Sequence, residues 1–226
     1  MEIRSIILFI CVTLWTASCG TATKPASTAD SYPNVLEAEP WGNAANSYIR
    51  AEGSNDKAEK AKHALEGISH AEECIMKNPE NAACYYYHAM NTGVYYSAHV
   101  AGYQNGLKTM AKDCEKVISL DDKFDHGGAY RTLGKIYTSV PEITLTKNGI
   151  RQDLDKAIRY LKKAVEIDGA YPENHIYLAQ AFLETGKKEE ALASFSNAAA
   201  LVPQWKNHRD YTQWIKMNKE LSKKIK

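Results

Sequence analysis

The chain has 226 residues, 28 basic and 27 acidic side chains, and a formal net charge of +1. So even a balance provides no global field of the kind that draws a protein onto nucleic acid. With a leader and tether set aside, residues 41–226 remain, a length suited to a single core or a short solenoid.

Residues 1–18 read as a targeting segment to be kept out of fold reasoning. Arg4 gives a positive start, and the apolar run over 6–15 is too short to span a bilayer as a mature helix. Thr16-Ala17-Ser18 then leads into Cys19, with Gly20 after it. Small residues before a cysteine resemble the lipobox of bacterial lipoproteins, in which the cysteine becomes the lipidated first residue of the mature chain. That resemblance implies lipidation at Cys19, and Gly20 in place of Asp implies the outer membrane. An ordinary secretory signal cut nearby is the alternative. Residues 19–40 open with a small, polar, Pro-containing stretch that has nothing to bury and reads as a flexible tether.

From Trp41 onward the pattern is helical, and no segment reads as a strand. In the first unit, residues 41–50 form one helix, Gly53-Ser54-Asn55-Asp56 a turn with an N-cap, and 58–77 a second helix carrying Ala61, Leu65, Ile68, Ala71 and Ile75 on one stripe. Asn78-Pro79 stops it. The second unit opens on Ala82 with a Tyr-rich helix that runs on toward Val100, longer than its counterparts; Gly102 and Gly106 bracket the next turn, and 107–120 supplies the partner. The third unit starts at Gly127-Gly128. After Tyr137 the spacing to Ala157 exceeds that from Phe182 to Ala191 by eleven residues, so 138–153 is an inserted loop, marked by Pro141 and Asn148-Gly149. The fourth unit, 172–203, is the most regular. A final helix over about 209–225 presents Tyr211, Trp214, Ile215 and Leu221 to cap the stack, and the basic run over 216–226 is its solvated face.

Ala157, Leu161 and Ala164 recur 34 residues later as Ala191, Phe195 and Ala198. Tyr130, Leu133, Gly134 and Tyr137 correspond to His175, Leu178, Ala179 and Phe182. The small residues mark places where two helix backbones approach closely. Helix–turn–helix units of this period resemble the tetratricopeptide repeat (TPR). The implied fold is an all-α, right-handed TPR-like solenoid of about four helix pairs plus a C-terminal capping helix, with a concave binding surface.

A narrower resemblance rests on Gly127, Gly128, Arg131, Leu133, Gly134, Tyr137 and Pro141, on the Tyr-rich helix, and on the leader. Together these look like the T component associated with TRAP transporters, a family of TPR-bearing lipoproteins; Ala129 stands where that family has proline. The resemblance implies a periplasmic partner of a solute-binding protein, self-association into a ring, and a channel for a small organic or hydrophobic ligand. The competing reading is a general TPR scaffold for envelope proteins with no small-molecule role.

Tyr85, His88, Thr92, Tyr96, His99 and Tyr103 share one helix face, a strip of phenols and imidazoles suited either to packing or to a ligand or partner. Arg131, just ahead of the inserted loop, either pairs with a carboxylate such as Glu142 or Asp125 or meets an anionic ligand at the concave mouth. His63, Glu66, His70 and Glu73 step along one helix without the further ligands a metal needs, so no metal or other cofactor is expected. No nucleophile elbow, HExxH or phosphate loop appears, which argues against an enzyme. With the leader removed and Cys19 acylated, Cys74, Cys84 and Cys114 remain; the favoured reading is small buried thiols, with a Cys74–Cys84 disulfide as the alternative in an oxidising compartment.

Overall fold

A computed structural model describes residues 39–144 and 147–225. Cys19, the leader and nearly all of the tether lie outside the described residues. Nine α-helices and no strand occur among those described: α1 (Gly42–Gly53), α2 (Lys57–Lys77), α3 (Ala82–Ala98), α4 (Tyr103–Leu120), α5 (Phe124–Ser139), α6 (Leu154–Ile167), α7 (Pro172–Glu184), α8 (Lys188–Leu201) and α9 (Tyr211–Ile225). Consecutive helices pair as α1/α2, α3/α4, α5/α6 and α7/α8, and α9 packs on the last pair. This is the expected solenoid with its capping helix.

Local chemistry sets the boundaries. The Asp56 carboxylate accepts from the N–H groups of Ala58 and Glu59 at 2.8 and 2.9 Å, starting α2. Asn81 and Asp153 cap α3 and α6 in the same way, and Pro172 occupies the first turn of α7, where its missing N–H costs nothing. Within the pairs the small residues do what their positions imply. Ala157, Ala164, Ala179, Ala191 and Ala198 are all fully buried. A Cβ on Gly134 would lie 2.3 Å from Leu161 Cγ, so only glycine lets α5 and α6 meet there. At the far end Trp214 and Leu221 are buried under α9 while its lysines stay in water, closing the apolar stack.

Three details depart from the sequence reading. Gly106 belongs to α4 rather than to a turn, and the Tyr96 ring lies where its Cβ would be, 2.1 Å from the nearest carbon. The turn falls at Ala101-Gly102, with Gly102 at φ +76°. Cys74 and Cys84 form a disulfide, in place of the favoured pair of thiols, because the Asn78-Pro79 turn brings the last turn of α2 and the first of α3 to a Cα–Cα distance of 5.5 Å. Cys114 is a buried free thiol.

Successive odd-numbered helices pack on one another along the whole stack, whereas successive even-numbered helices scarcely meet. The solenoid therefore bends with the odd helices on its inner side.

Candidate functional site

The inner layer is organised around Arg131 on α5. The helix begins irregularly: Asp125, His126 and Gly127 have φ values of 50°, 59° and 77°, a left-handed run unfavourable for its first two members. Each is held in place by polar contacts. The Asp125 carboxylate accepts from Tyr86 Oη and from Arg131 Nη2, both at 2.5 Å. The His126 ring stacks on Tyr171 with centroids 4.2 Å apart, and its Nδ1 lies 2.6 Å from Asp168 Oδ2. The carbonyl of His126 accepts from Asn174 Nδ2 at 3.0 Å.

Arg131 is 5% exposed, and its guanidinium is engaged on every side. Nη1 donates to the Asp125 carbonyl and to Asn174 Oδ1, Nε faces Glu173 Oε2 at 3.0 Å, and the plane lies 4.8 Å from the centre of the Tyr171 ring. Burial works against its charge, but Asp125 and Glu173 outweigh that, so the guanidinium is held protonated even more firmly than in water. Glu173 is largely enclosed, and desolvation pushes its carboxyl above the usual range against the pull of Arg131 and Lys135. The partners of Arg131 are thus Asp125 and Glu173; Glu142, the other candidate, is exposed.

Around this hub the inner face is aromatic. Trp41 stacks on Tyr87 at 5.2 Å, Phe124 packs edge-on to Tyr86 at 5.2 Å, and Tyr48 from α1 meets Tyr87 at 6.3 Å. Burial raises the phenol of Tyr87 to about 12 and those of Tyr48, Tyr86, Tyr171 and Tyr177 as well, so these groups are neutral hydrogen-bonding tips on apolar bodies. The segment before α9 reaches across to the first helix, placing Arg209 over the Tyr48 ring at 5.3 Å. The layer offers charged and phenolic binding groups.

The six-residue strip falls elsewhere, toward α4 and the end of α3. Tyr85 donates to the Pro79 carbonyl at 3.1 Å. His88 Nδ1 lies 2.6 Å from Asp113 Oδ2 on α4, and its Nε2 is 3.9 Å from Glu72. Thr92 is buried, Tyr96 covers Gly106, His99 stacks on Tyr95 at 4.9 Å, and Tyr103 opens α4. Of the predicted set, Arg131 alone belongs to the inner hub. His63 pairs with Glu66 and Glu73 with Lys77, and among the described residues no three metal-ligating side chains converge.

Tyr86, Tyr87, Glu173 and Asn174 were not singled out from the sequence. A signal for the first existed: the first helices of units three and four are offset by 45 residues, and one further step back from Arg131 (131 − 45 = 86) lands on Tyr86.

The family model for the tetratricopeptide repeat matches residues 150–209, spanning α6 to the segment before α9. No curated protein matches the chain. Among solved structures, a thermophilic TPR protein from Thermus thermophilus is similar with a TM-score of 0.55 at 17% identity, covering 80% of this chain and 84% of that one. The chain therefore has the fold of a TPR protein, an all-α solenoid whose inner helices are tied together by a buried arginine.

Proposed function

We propose that this chain is a TPR interaction module anchored to the outer membrane through lipid on Cys19, facing the periplasm, and serving a TRAP-type transport system by docking its solute-binding protein. The TPR fold supports the coarse part, since such solenoids hold protein partners rather than transform substrates. The finer part is carried by α5. A left-handed, polar-locked start and an inserted loop sit at opposite ends of this one helix, and a plain scaffold repeat needs neither. The loop is anchored as well: Gln104 of α4 donates to the Ile150 carbonyl at 3.2 Å and accepts from its N–H at 2.9 Å. Self-association into a ring belongs to the same reading; an enzymatic role, nucleic acid and a cofactor do not.

The test is to mix residues 26–226 with a TRAP-type solute-binding protein encoded beside this gene and measure mass by light scattering. A defined complex is expected. A strict monomer with no affinity for that protein would sink the proposal and favour the general envelope scaffold. Within the assay, Tyr96→Ala and Tyr103→Ala examine the α3–α4 strip, which has a binding role only if complex formation falls while the fold persists.

A further inference from the structure

A cleft of about 540 Å³ opens beside the inner aromatic layer. It is lined by Ala82 and Ala83 in the first turn of α3, by the preceding Asn78–Asn81 turn, and by Leu120, Trp41 and Phe124. The two rings meet edge to face, 6.3 Å apart at 84°, and the Trp41 indole is backed by Tyr87. Each of its amides has one atom engaged: Asn78 Nδ2 donates to the Cys74 carbonyl, and Asn81 Oδ1 accepts from Ala83 N–H. Its charged side chains are the carboxylates of Glu80 and Asp121, and no basic side chain is among the residues that line the cleft. Glu80 has a loose contact with Lys116 at 3.9 Å, and one Asp121 oxygen takes the Lys123 N–H at 3.1 Å.

Several aromatic faces elsewhere carry one of the chain's own cations. Arg131 covers Tyr171, Arg209 covers Tyr48, Lys156 covers Tyr137 and Lys135 covers Tyr177. Among the described residues no Lys or Arg covers Trp41 or Phe124, the pair that stands beside two carboxylates. Carboxylates exclude an anion there, and a planar or ammonium cation satisfies both the rings and the acids.

We propose that this cleft receives a basic side chain, arginine or lysine, from the partner protein, with its charged head between Glu80 and Asp121 and its stem against Trp41 and Phe124. This rests on the reading of the chain as a protein-docking module. Arginine suits the site best, since its flat guanidinium stacks on indole and forms paired hydrogen bonds to a carboxylate. Because the rim is exposed, binding weakens as salt rises.

The experiment titrates the full-length chain with N-acetyl-arginine amide, its neutral isostere N-acetyl-citrulline amide, and agmatine, following heat and the Trp41 indole resonance. Saturable binding is expected for the arginine probe, and about tenfold weaker binding for citrulline and for the Glu80→Gln/Asp121→Asn variant, which keeps the Asp121 cap acceptor. Circular dichroism checks that this surface variant folds. Citrulline binding as tightly as arginine, or the variant binding unchanged, overturns the proposal. Agmatine binding more tightly than the arginine amide reassigns the cleft to free small amines and overturns the partner side chain. If the solute-binding protein docks while the arginine probe does not bind, this inference fails and the docking role stands; the reverse result removes the docking role and leaves a cation site.

Discussion

Arg131 Nε meets Glu173 Oε2 at 3.0 Å, joining the first helix of the third unit to the first helix of the fourth inside the solenoid. The same guanidinium holds Asp125 and hydrogen-bonds Asn174, so one side chain connects the strained start of α5 to α7. Removing it strands Glu173, whose side chain is only 16% exposed, and takes a charged partner from the half-buried Asp125. Arg131→Met is expected to destabilise by about 3–5 kcal/mol, read from urea unfolding. In double-mutant cycles Arg131 should couple with Glu173 and with Asp125 but not with Glu142; equal coupling to Glu142 would contradict the network.

Glu173 behaves differently from its partner under a change of pH. Its folded-state carboxyl titrates above the unfolded value, chiefly through burial, so in the window between the two the folded chain binds more protons. Its contribution to stability is therefore greatest below the unfolded value, about pH 4.3, and falls as pH rises through the folded value. Glutamine cannot ionise. Urea midpoints of wild type and Glu173→Gln, compared at pH 4 and pH 7, should show the wild type losing ground to the variant at the higher pH. A gap moving in the opposite direction refutes the sign.

Gly134 and Gly67 have no room for a side chain. A Cβ on Gly134 would sit 2.3 Å from Leu161, and one on Gly67 would sit 2.0 Å from Asn91 Oδ1. Asn91 is fully buried, and its Nδ2 ties the Ala44 carbonyl of α1 to the Tyr87 carbonyl of α3, so it has little freedom to yield. Gly134→Ala and Gly67→Ala should each cost about 1–3 kcal/mol. Thermal melts check this, and an unchanged melting temperature for either would show that the helices can part without penalty.

The Cys74–Cys84 bridge closes a short loop across the α2–α3 turn. In the chain-entropy account, a crosslink at this separation is worth about 2–3 kcal/mol. Melting with and without dithiothreitol should show that loss, and Cys74→Ala/Cys84→Ala should melt like the reduced protein in either buffer. Mass spectrometry of the chain alkylated in denaturant without reduction should find Cys114 labelled and Cys74 and Cys84 unlabelled.

Gln104 is buried and gives the inserted loop two hydrogen bonds at Ile150. Gln104→Ala leaves that backbone pair without a protein partner, at a cost of about 1–3 kcal/mol. Hydrogen exchange should accelerate at the Ile150 amide and leave the paired helices α7 and α8 protected. Uniform acceleration across the chain would mean that the loop is integral to the core.

The periodicity of small and large residues determined the helix pairs, their order, the capping helix and the place of the insertion. Those features follow from local spacing: a helix must bury its stripe, and Ala or Gly must stand where Leu161 or its equivalents press in. Spacing also grouped Tyr85 with His88 and Tyr96, but a helix face has no label saying which neighbour covers it. The stack decided that. Crowding of the odd helices along the inner side puts Tyr86 and Tyr87 inward, and the Tyr85 face toward α4. Nor did Arg131 reveal from its neighbours that Glu173, 42 residues on, would face it, because that contact exists only once α5 and α7 lie side by side. Local spacing specifies which scaffold forms; which residues that scaffold turns inward depends on how the helices stack, since burial and charge pairing act between helices far apart in the chain.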